Sequence, residues 1–284
     1  MDKWSAANRT LALVNELAQN VQQAAINKQE SLKVGLDLGT SSIVLVVVDE
    51  KNQPVFAAFE QADVVRDGLV VNYIEALQIT KRLKKRAEEA LGVPLLCASG
   101  AVPPGTIGNN KKVIGNIIEG SGMDVVAIVD EPTAAAEVLG IENGAVIDIG
   151  GGTTGISILK NGEVVFSADE PTGGTQMTLV LSGYLGVPTD EGEQQKRDKT
   201  RQEETFQIIY PVVEKMASIV QSFLDQHKES VESIYLVGGA TDFPQFAPTF
   251  TKLLKKKVLQ PDFPQFVTPL GIALISNKSS VGDF

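Results

Sequence analysis

The sequence predicts an α/β protein built from two similar lobes that face each other across a cleft. Three observations lead to this prediction. A hairpin motif occurs twice, each copy is followed by helices and strands in the same order, and 43% of the 284 residues are hydrophobic while 21% are charged. That composition is typical of a globular α/β protein, and the length is sufficient for two lobes of ordinary size.

The duplicated motif is an apolar strand that ends on an aspartate and continues into a turn of small residues. The first copy, VGLDLGTSSIVLVVVDEKNQPVFA, occupies residues 34–57, and the second, AVIDIGGGTTGISILKNGEVVF, occupies residues 145–166. Each copy is predicted to form three strands, with Asp37 or Asp148 at the end of the first. Asn161-Gly162 in the second copy is a strong hairpin signal.

Each copy is followed by alternating helices and strands. The first half has predicted helices near 74–91 and 109–121 with strands near 95–99 and 125–129; the second has helices near 174–185 and 207–227, a polar stretch at 188–205 and a strand at 233–237. Two βββαβα units of this kind predict two lobes. Ligands in open α/β sheets bind at the carboxyl ends of strands, where both aspartates lie.

The first 30 residues are predicted to form a separate helix. Apolar residues recur there at spacings of three and four, at Trp4, Ala7, Leu11, Val14, Ala18, Val21 and Ala25. This helical stripe is compatible with a helix packed on the body of the protein. It is also compatible with a helix that docks in a groove of a partner, including as an encapsulation helix.

Composition excludes several classes of protein. The net charge of −10 argues against nucleic acid as a partner, because phosphate binding at scale needs a basic surface. A single cysteine excludes a disulfide framework, and a single histidine excludes a histidine metal cluster. That histidine, His227, lies at a polar helix end beside Lys228, so we expect it to face solvent rather than to serve a Ser/His/Asp triad. We find no run that is long enough to span a membrane and no secretory signal, so we expect a cytoplasmic protein without a membrane partner.

The two turns after the aspartates are candidate phosphate sites. Gly39-Thr40-Ser41 and Gly150-Gly151-Gly152-Thr153 would expose successive backbone N–H groups, which suit phosphate oxygens. Glycines after a strand more often serve a tight turn than a ligand, so one such turn is weak evidence, but two copies with the same spacing favour a ligand. Asp37 and Asp148 could position hydrated Mg²⁺ on a triphosphate, or each could simply cap its turn.

Three further motifs lie at predicted strand ends or helix starts. Glu131, in VDEPTAAA, could activate a water molecule that attacks a phosphate, or could simply interact with the helix dipole. Gly173-Gly174 precedes a helix and could bind phosphate, and Gly238-Gly239 follows a strand and could admit a base or ribose. Neither a P-loop nor a GxGxxG sequence is present.

Four motifs together resemble the superfamily of actin, DnaK-type chaperones and sugar kinases. They are GLDLGTSS at 35–42, VDEPTAAA at 129–136, VIDIGGGTTG at 146–155 and IYLVGGATDFPQF at 234–246. Their order matches that superfamily's first phosphate, first connecting, second phosphate and adenosine motifs. The resemblance covers residues 33–276 and implies an actin-like ATPase fold with two duplicated ribonuclease-H-like lobes around a nucleotide cleft.

Within that superfamily the chain resembles the EutJ family of ethanolamine utilisation proteins. This narrower likeness rests on ADVVRDGLVV at 62–71, PPGT at 103–106, SADEPTGGTQ at 167–176, EGEQQKR at 191–197, YPVVEKMASIV at 210–220 and FVTPLGIAL at 266–274. It implies an ATP-binding, chaperone-like protein in which nucleotide state controls lobe closure and partner binding. The implied client is an ethanolamine-pathway enzyme or a shell protein, in or near a bacterial microcompartment.

The resemblance also implies roles for individual residues. Phosphates would be bound by the two small-residue turns, and magnesium would be held by Asp37 and Asp148 through water. Glu131 would activate the attacking water. Gly238 and Gly239 would meet the adenosine of ATP or ADP, and Glu193 and Lys196 would line its base and ribose side. The implied domains are an extension at 1–31, lobe I at 32–143, lobe II at 144–267 and a C-terminal helix at 268–284 that returns to lobe I.

The chain also departs from its relatives. The sequence ends soon after the second connecting motif, so we expect no peptide-binding domain of the DnaK type, and no first-lobe catalytic lysine aligns. We therefore expect ATP binding, with at most a weak Mg²⁺-dependent ATPase activity. Two alternatives are a small-metabolite kinase of the same fold and an actin-like filament protein.

Overall fold

The computed structural model describes residues 2–19, 31–66, 68–104, 106, 108–227 and 231–276. The chain forms two compact units, Met1–Glu142 with Pro261–Phe284, and Asn143–Gln260. It therefore crosses between the units twice, after Glu142 and after Gln260. The return to the first unit begins at Pro261, ahead of the helix near residue 268 on which the sequence placed that boundary.

The first unit carries a long helix, a mixed sheet and a small hairpin. In chain order its elements are α1 Lys3–Gln19, β1 Lys33–Leu38, β2 Ser42–Val48, β3 Pro54–Gln61, β4 Val65–Arg66, β5 Leu69–Val70, α2 Tyr73–Leu91, β6 Cys97–Val102, α3 Asn109–Gly120, β7 Asp124–Asp130 and α4 Glu131–Leu139. Apolar β-branched runs such as SIVLVVV in β2 favour strands that are buried on both faces.

The second unit repeats this plan. Its elements are β8 Gly144–Ile149, β9 Thr154–Lys160, β10 Glu163–Glu170, α5 Gly174–Leu185, α6 Thr189–Arg197, α7 Gln202–Gln226, β11 Ser233–Val237, α8 Phe246–Leu254 and β12 Lys257–Leu259, with 3₁₀ turns at Lys199–Arg201 and Gly239–Thr241. A 3₁₀ turn at Pro264–Phe266 and helix α9, Val267–Ile275, complete the first unit.

The two main sheets have the same topology. Their strand orders are β3-β2-β1-β6-β7 and β10-β9-β8-β11-β12. In each sheet the three hairpin strands are antiparallel, and the first of them pairs in parallel with the strand that follows the helical segment. The duplication predicted from the sequence is therefore confirmed.

Each unit has its own hydrophobic core. In the first unit, α2 and α3 bury Ile79, Leu83 and Ile117 against the sheet. In the second, α5, α7 and α8 cover the sheet, and the stacked rings of Phe246 and Phe250 lie 5.2 Å apart. Among the described residues, no helix has the length and apolar character needed to span a membrane.

Helix α9 sits unusually close to its neighbours in the first unit. A Cβ atom on Gly35 of β1 would lie 2.4 Å from the carbonyl oxygen of Pro269. A Cβ atom on Gly271 of α9 would lie 2.0 Å from the carbonyl oxygen of Ala134 in α4. Because the obstacles are backbone atoms, only glycine permits this packing of α9 on β1 and α4.

The N-terminal helix packs on the first unit. α1 lies against β3, α4 and α9, and its residues Ala7, Leu11 and Val14 are buried. The part of the predicted stripe at Val21 and Ala25 lies outside the described residues. Over Lys3–Gln19 the structure therefore favours the packed helix, because the buried stripe is not exposed for a partner.

Candidate functional site

The two aspartates occupy equivalent positions in the duplicated hairpins. Asp37 pairs with Val44 across β1 and β2, and Asp148 pairs with Gly155 across β8 and β9. Each is the half-buried second-to-last residue of a strand whose preceding and following neighbours are buried. Each strand thus delivers one carboxylate to the rim of its sheet, immediately before the small-residue turn.

The turns that follow the aspartates are closed in the same way. The N–H group of Gly39 donates to the carbonyl oxygen of Ser42 over 3.0 Å, and that of Gly150 donates to Thr153 over 3.1 Å. In both hairpins the turn spans four residues between the last paired residues of the two strands. The shared spacing of the sequence therefore corresponds to a shared backbone geometry.

The start of α5 holds the turn of the second unit in place. The N–H group of Gly174 donates to Gly150 over 2.9 Å, and that of Thr175 donates to Gly151 over 2.8 Å. A Cβ atom on Gly173 would lie 2.7 Å from the Gly150 carbonyl oxygen, so this approach requires glycine. Sequence reasoning missed this supporting role for Gly173 and Gly174. Their binding of phosphate stays a prediction.

Thr154 fixes the same turn from the other side. Its side chain is fully buried, and its hydroxyl donates to the carbonyl oxygen of Thr172 over 2.6 Å. Thr154 directly follows the turn, and Thr172 directly precedes the glycines that open α5. This hydrogen bond therefore joins the two segments predicted to meet phosphate groups, and it pre-organises them before any ligand binds.

Gly238 lies directly against the carboxylate of Asp148. Val237, the last residue of β11, pairs with Asp148, so the next residue passes the aspartate side chain. A Cβ atom on Gly238 would lie 2.3 Å from Asp148 Oδ1 and 2.5 Å from the carbonyl oxygen of Ile149. Gly238 also has φ of 89°, a conformation that favours glycine. The predicted adenosine loop thus packs directly on the predicted magnesium ligand.

Helix α6 carries a partly buried ion pair that lies against α5. The Lys196 ammonium group lies 2.6 Å from Glu193 Oε2, and it donates to the Gly174 carbonyl oxygen over 3.0 Å and to Thr178 Oγ1 over 2.8 Å. The Lys196 side chain is 10% exposed. Lys196 therefore links α6 to the first turn of α5.

Burial acts on both members of this pair. It lowers the pKa of Lys196 below its ordinary value, and the negative charge of Glu193 only partly offsets this effect. Burial also raises the pKa of Glu193, but the positive charge of Lys196 and hydrogen bonds from Lys196, Thr178 and Arg197 outweigh it, so the net pKa is lowered. Glu193 is therefore held ionised beside its partner.

Three predicted motifs converge on Gly174. A Cβ atom there would lie 3.4 Å from both the Cβ atom of Ala240 and the Nζ atom of Lys196. The loop around Ala240 is tied to the segment after α6, because Lys199 forms an ion pair with Asp242 over 2.8 Å. The second unit therefore assembles the phosphate turn, the adenosine loop and helix α6, which carries the predicted base-side residues, at one place.

The first unit places Glu131 at the junction that the sequence predicted. Glu131 is the first residue of α4 and directly follows β7, with Pro132 in the first helical turn. Burial raises the pKa of the neighbouring Asp130, and Lys111 partly opposes that rise.

In the small-residue turn of the first unit, the carbonyl oxygen of Ser41 accepts a hydrogen bond from the Ala62 N–H over 3.2 Å. The roles of Glu131, Thr40 and Ser41 stay predictions.

Each unit, taken by itself, offers groups of a type that suits Mg²⁺ and nucleotide phosphates. Asp37 and Asp148 supply carboxylate oxygens, the ligand type that Mg²⁺ prefers. Gly39 in one turn and Gly150–Gly152 in the other carry no side chain, so an anion can approach the backbone N–H groups of these turns. Gly239, the next residue in the loop beside Asp148, is exposed and carries no side chain.

Comparison with known proteins identifies the fold and its relatives. The family described as MreB/Mbl protein matches residues 56–186, and the family described as Type IV pilus assembly protein PilM matches residues 136–275. The crystal structure of ADP-bound MreB5 of Spiroplasma citri superposes with a TM-score of 0.69 at 16% identity, covering 87% of this chain and 96% of that one. The chain therefore has the actin-like ATPase fold.

Closer relatives are ethanolamine utilization proteins. EutJ of Salmonella typhimurium is 40% identical over 245 residues, which is 85% of each chain. The crystal structure of EutJ from Carboxydothermus hydrogenoformans matches with a TM-score of 0.90 at 43% identity, covering 96% of this chain and 99% of that one. A chaperone protein HscA homolog of Rickettsia peacockii is 29% identical over 70% of this chain and 39% of its own length.

Proposed function

Because the chain belongs to the EutJ family of ethanolamine utilisation proteins, we propose that it binds ATP and ADP with Mg²⁺ and acts as a chaperone-like factor. The nucleotide state controls the closure of the two units, and closure controls the binding of a protein client. The observation that carries this proposal is the convergence of the phosphate turn, the adenosine loop and α6 around Gly174.

Within this proposal each side chain has a defined task. Asp37 and Asp148 hold the hydrated magnesium ion, which neutralises phosphate charge when it is bound. Backbone N–H groups of the two small-residue turns bind phosphate oxygens, and Gly238 and Gly239 accept the adenosine. Glu193 and Lys196 line the base and ribose side, where their mutual ion pair fixes α6 against α5. Glu131 orients water for slow hydrolysis.

The proposed client is an enzyme or a shell protein of the ethanolamine pathway, and the proposed location is the cytoplasm in or near a bacterial microcompartment. Family membership supports this choice. The HscA likeness supports a chaperone-like use of the fold. Nucleotide-dependent closure gives a physical route to regulation, because a client that binds one state better shifts the equilibrium between states.

A client-binding experiment tests the proposal. Immobilised protein is saturated with Mg²⁺-ADP or with a non-hydrolysable Mg²⁺-ATP analogue and exposed to purified ethanolamine-pathway enzymes and shell proteins in turn. We expect one of them to bind the two states with affinities that differ several-fold. The variant Asp148→Ala should lose this difference, and Asp225→Ala, an exposed aspartate on α7, should keep it. Equal binding in both states by every candidate would contradict nucleotide control.

A further inference from the structure

Helix α1 contacts the first unit beside both points where the chain crosses between units. The crossings follow Glu142 and Gln260. α1 packs on α4, which ends just before the first crossing, and on the 3₁₀ turn and α9, which come just after the second. Neither the duplicated fold nor the predicted nucleotide site requires this helix.

The first attachment is at Gly140. This residue caps the C-terminus of α4 in the left-handed conformation, with φ of 65°, and its N–H group donates to Ala136. The aliphatic stem of Lys3 covers it, because a Cβ atom on Gly140 would lie 2.6 Å from Lys3 Cδ. Lys3 therefore packs on the chain two residues before the first crossing.

The second attachment is at Asp262. Its backbone N–H group donates to Asn8 Oδ1 over 3.2 Å, although the two residues are 254 positions apart in the sequence. Asp262 is the second residue after the second crossing. Lys3 and Asn8 are five positions apart on one helix, which places them about 7.5 Å apart along its axis.

The helix that carries both attachments is itself firmly seated. Leu11 and Val14 have no exposed surface, and Ala7 is 6% exposed. The helix lies along β3, the edge strand of the first sheet. A buried apolar stripe of this kind makes α1 a rigid part of the first unit rather than a mobile tail.

We propose that α1 is a clamp that ties the two crossings to one rigid body and so limits the relative motion of the two units. The mechanical part of this proposal, that α1 holds both crossings, is based on the contacts of Lys3 and Asn8. Its regulatory part, that the clamp sets how easily nucleotide closes the units, rests on the proposed function.

Hydrogen exchange of the nucleotide-free protein tests the mechanical part. The variants are Lys3→Ala and Asn8→Ala, and the matched control is Asn15→Ala, whose side chain accepts a hydrogen bond only from Gln19 on the same helix among the contacts described. In each variant we expect faster exchange at both crossings, in segments 140–144 and 260–264, by about fivefold. For Asn8→Ala this is roughly the factor that the loss of one hydrogen bond of ordinary net strength gives, and for Lys3→Ala it is roughly the factor that the loss of one buried methylene group gives. The control should leave both segments unchanged.

The decisive result is the response at the distant crossing. Lys3→Ala should accelerate segment 260–264, and Asn8→Ala should accelerate segment 140–144, because one rigid helix serves both. Acceleration that is confined to the segment next to each substitution would overturn the clamp proposal. Unchanged exchange at both crossings in a variant from which α1 is deleted would overturn it as well. Calorimetry then compares ATP affinity in the same variants. If the wild-type protein binds no nucleotide, the proposed function fails while the exchange data still decide the clamp.

Discussion

The variant Gly238→Ala tests the contact between the adenosine loop and Asp148. The new Cβ atom would lie 2.3 Å from Asp148 Oδ1 and 2.5 Å from a backbone oxygen, so the carboxylate and the strand must both shift. Overpacking of this kind costs about 1–3 kcal/mol. With φ of 89° and ψ of 147°, Gly238 lies in a backbone region that is essentially confined to glycine, which adds about 1–3 kcal/mol for any residue with a Cβ atom. We expect the free energy of unfolding to fall by about 2–6 kcal/mol, and the affinity for Mg²⁺-nucleotide to fall with it.

Gly162→Ala is the matched control. Gly162 has φ of 80° in the hairpin between β9 and β10, and a Cβ atom there meets nothing within 4 Å. The variant Gly162→Ala should therefore lose only the free energy of unfolding that the positive φ costs a residue with a Cβ atom, about 1–2 kcal/mol. It should keep its nucleotide affinity. Urea denaturation followed by circular dichroism measures both variants. If Gly238→Ala is no more destabilising than Gly162→Ala, the close packing against Asp148 is refuted.

Three further variants test the supports of the site and the packing of the first unit. Thr154→Val should lower the free energy of unfolding by about 1–3 kcal/mol, because it leaves a buried carbonyl oxygen without its donor; an unchanged urea midpoint would contradict this. The pKa of Glu193 lies below its ordinary 4.5, so its stabilising charge is present above that pH and is lost as pH falls through the lowered pKa. The stability difference between wild type and Glu193→Gln should therefore shrink from pH 7 to acid, and a constant difference would argue against the ion pair. Gly271→Ala should destabilise the first unit by about 1–3 kcal/mol or more, whereas Gly183→Ala, in open space on α5, should stabilise by about 0.5–1 kcal/mol.

The fold was predictable because its main signal is repeated. An apolar strand, an aspartate and a small-residue turn occur twice, and the structure gives both copies the same register and the same closing hydrogen bond. The helix at 174–185 and the strand at 233–237 were predicted to the residue. Such segments have strong apolar periodicity or clear caps, so local sequence determines them.

Helix α6 was not predicted from its own pattern. Its sequence TDEGEQQKR is polar on every face, and Gly192 is its one buried residue. It is helical because Gly192 sits against Ser182 of α5 and Lys196 bonds to the carbonyl oxygen of Gly174. Those contacts join distant parts of the chain, and a local pattern does not contain them.

The supports of the candidate site were also beyond sequence reasoning. Gly173 and Gly174 were assigned to phosphate, but their place beside Gly150 depends on how α5 meets the hairpin. From the sequence, the hydroxyl of Thr154 could have been a further donor to phosphate oxygens. Its hydrogen bond to Thr172 arises only when two segments 18 positions apart meet. Motifs predict which residues face a ligand, whereas tertiary structure identifies those that hold them in place.

Calorimetric titration with ATP and ADP, with and without Mg²⁺, tests the central claim most directly. We expect the wild-type protein to bind both nucleotides more tightly when Mg²⁺ is present. Asp148→Ala should weaken Mg²⁺-ATP binding by about 1–3 kcal/mol, the cost of a lost charged partner, and should change Mg²⁺-free binding much less. Absence of binding at millimolar ATP, or equal weakening with and without Mg²⁺, would contradict the account.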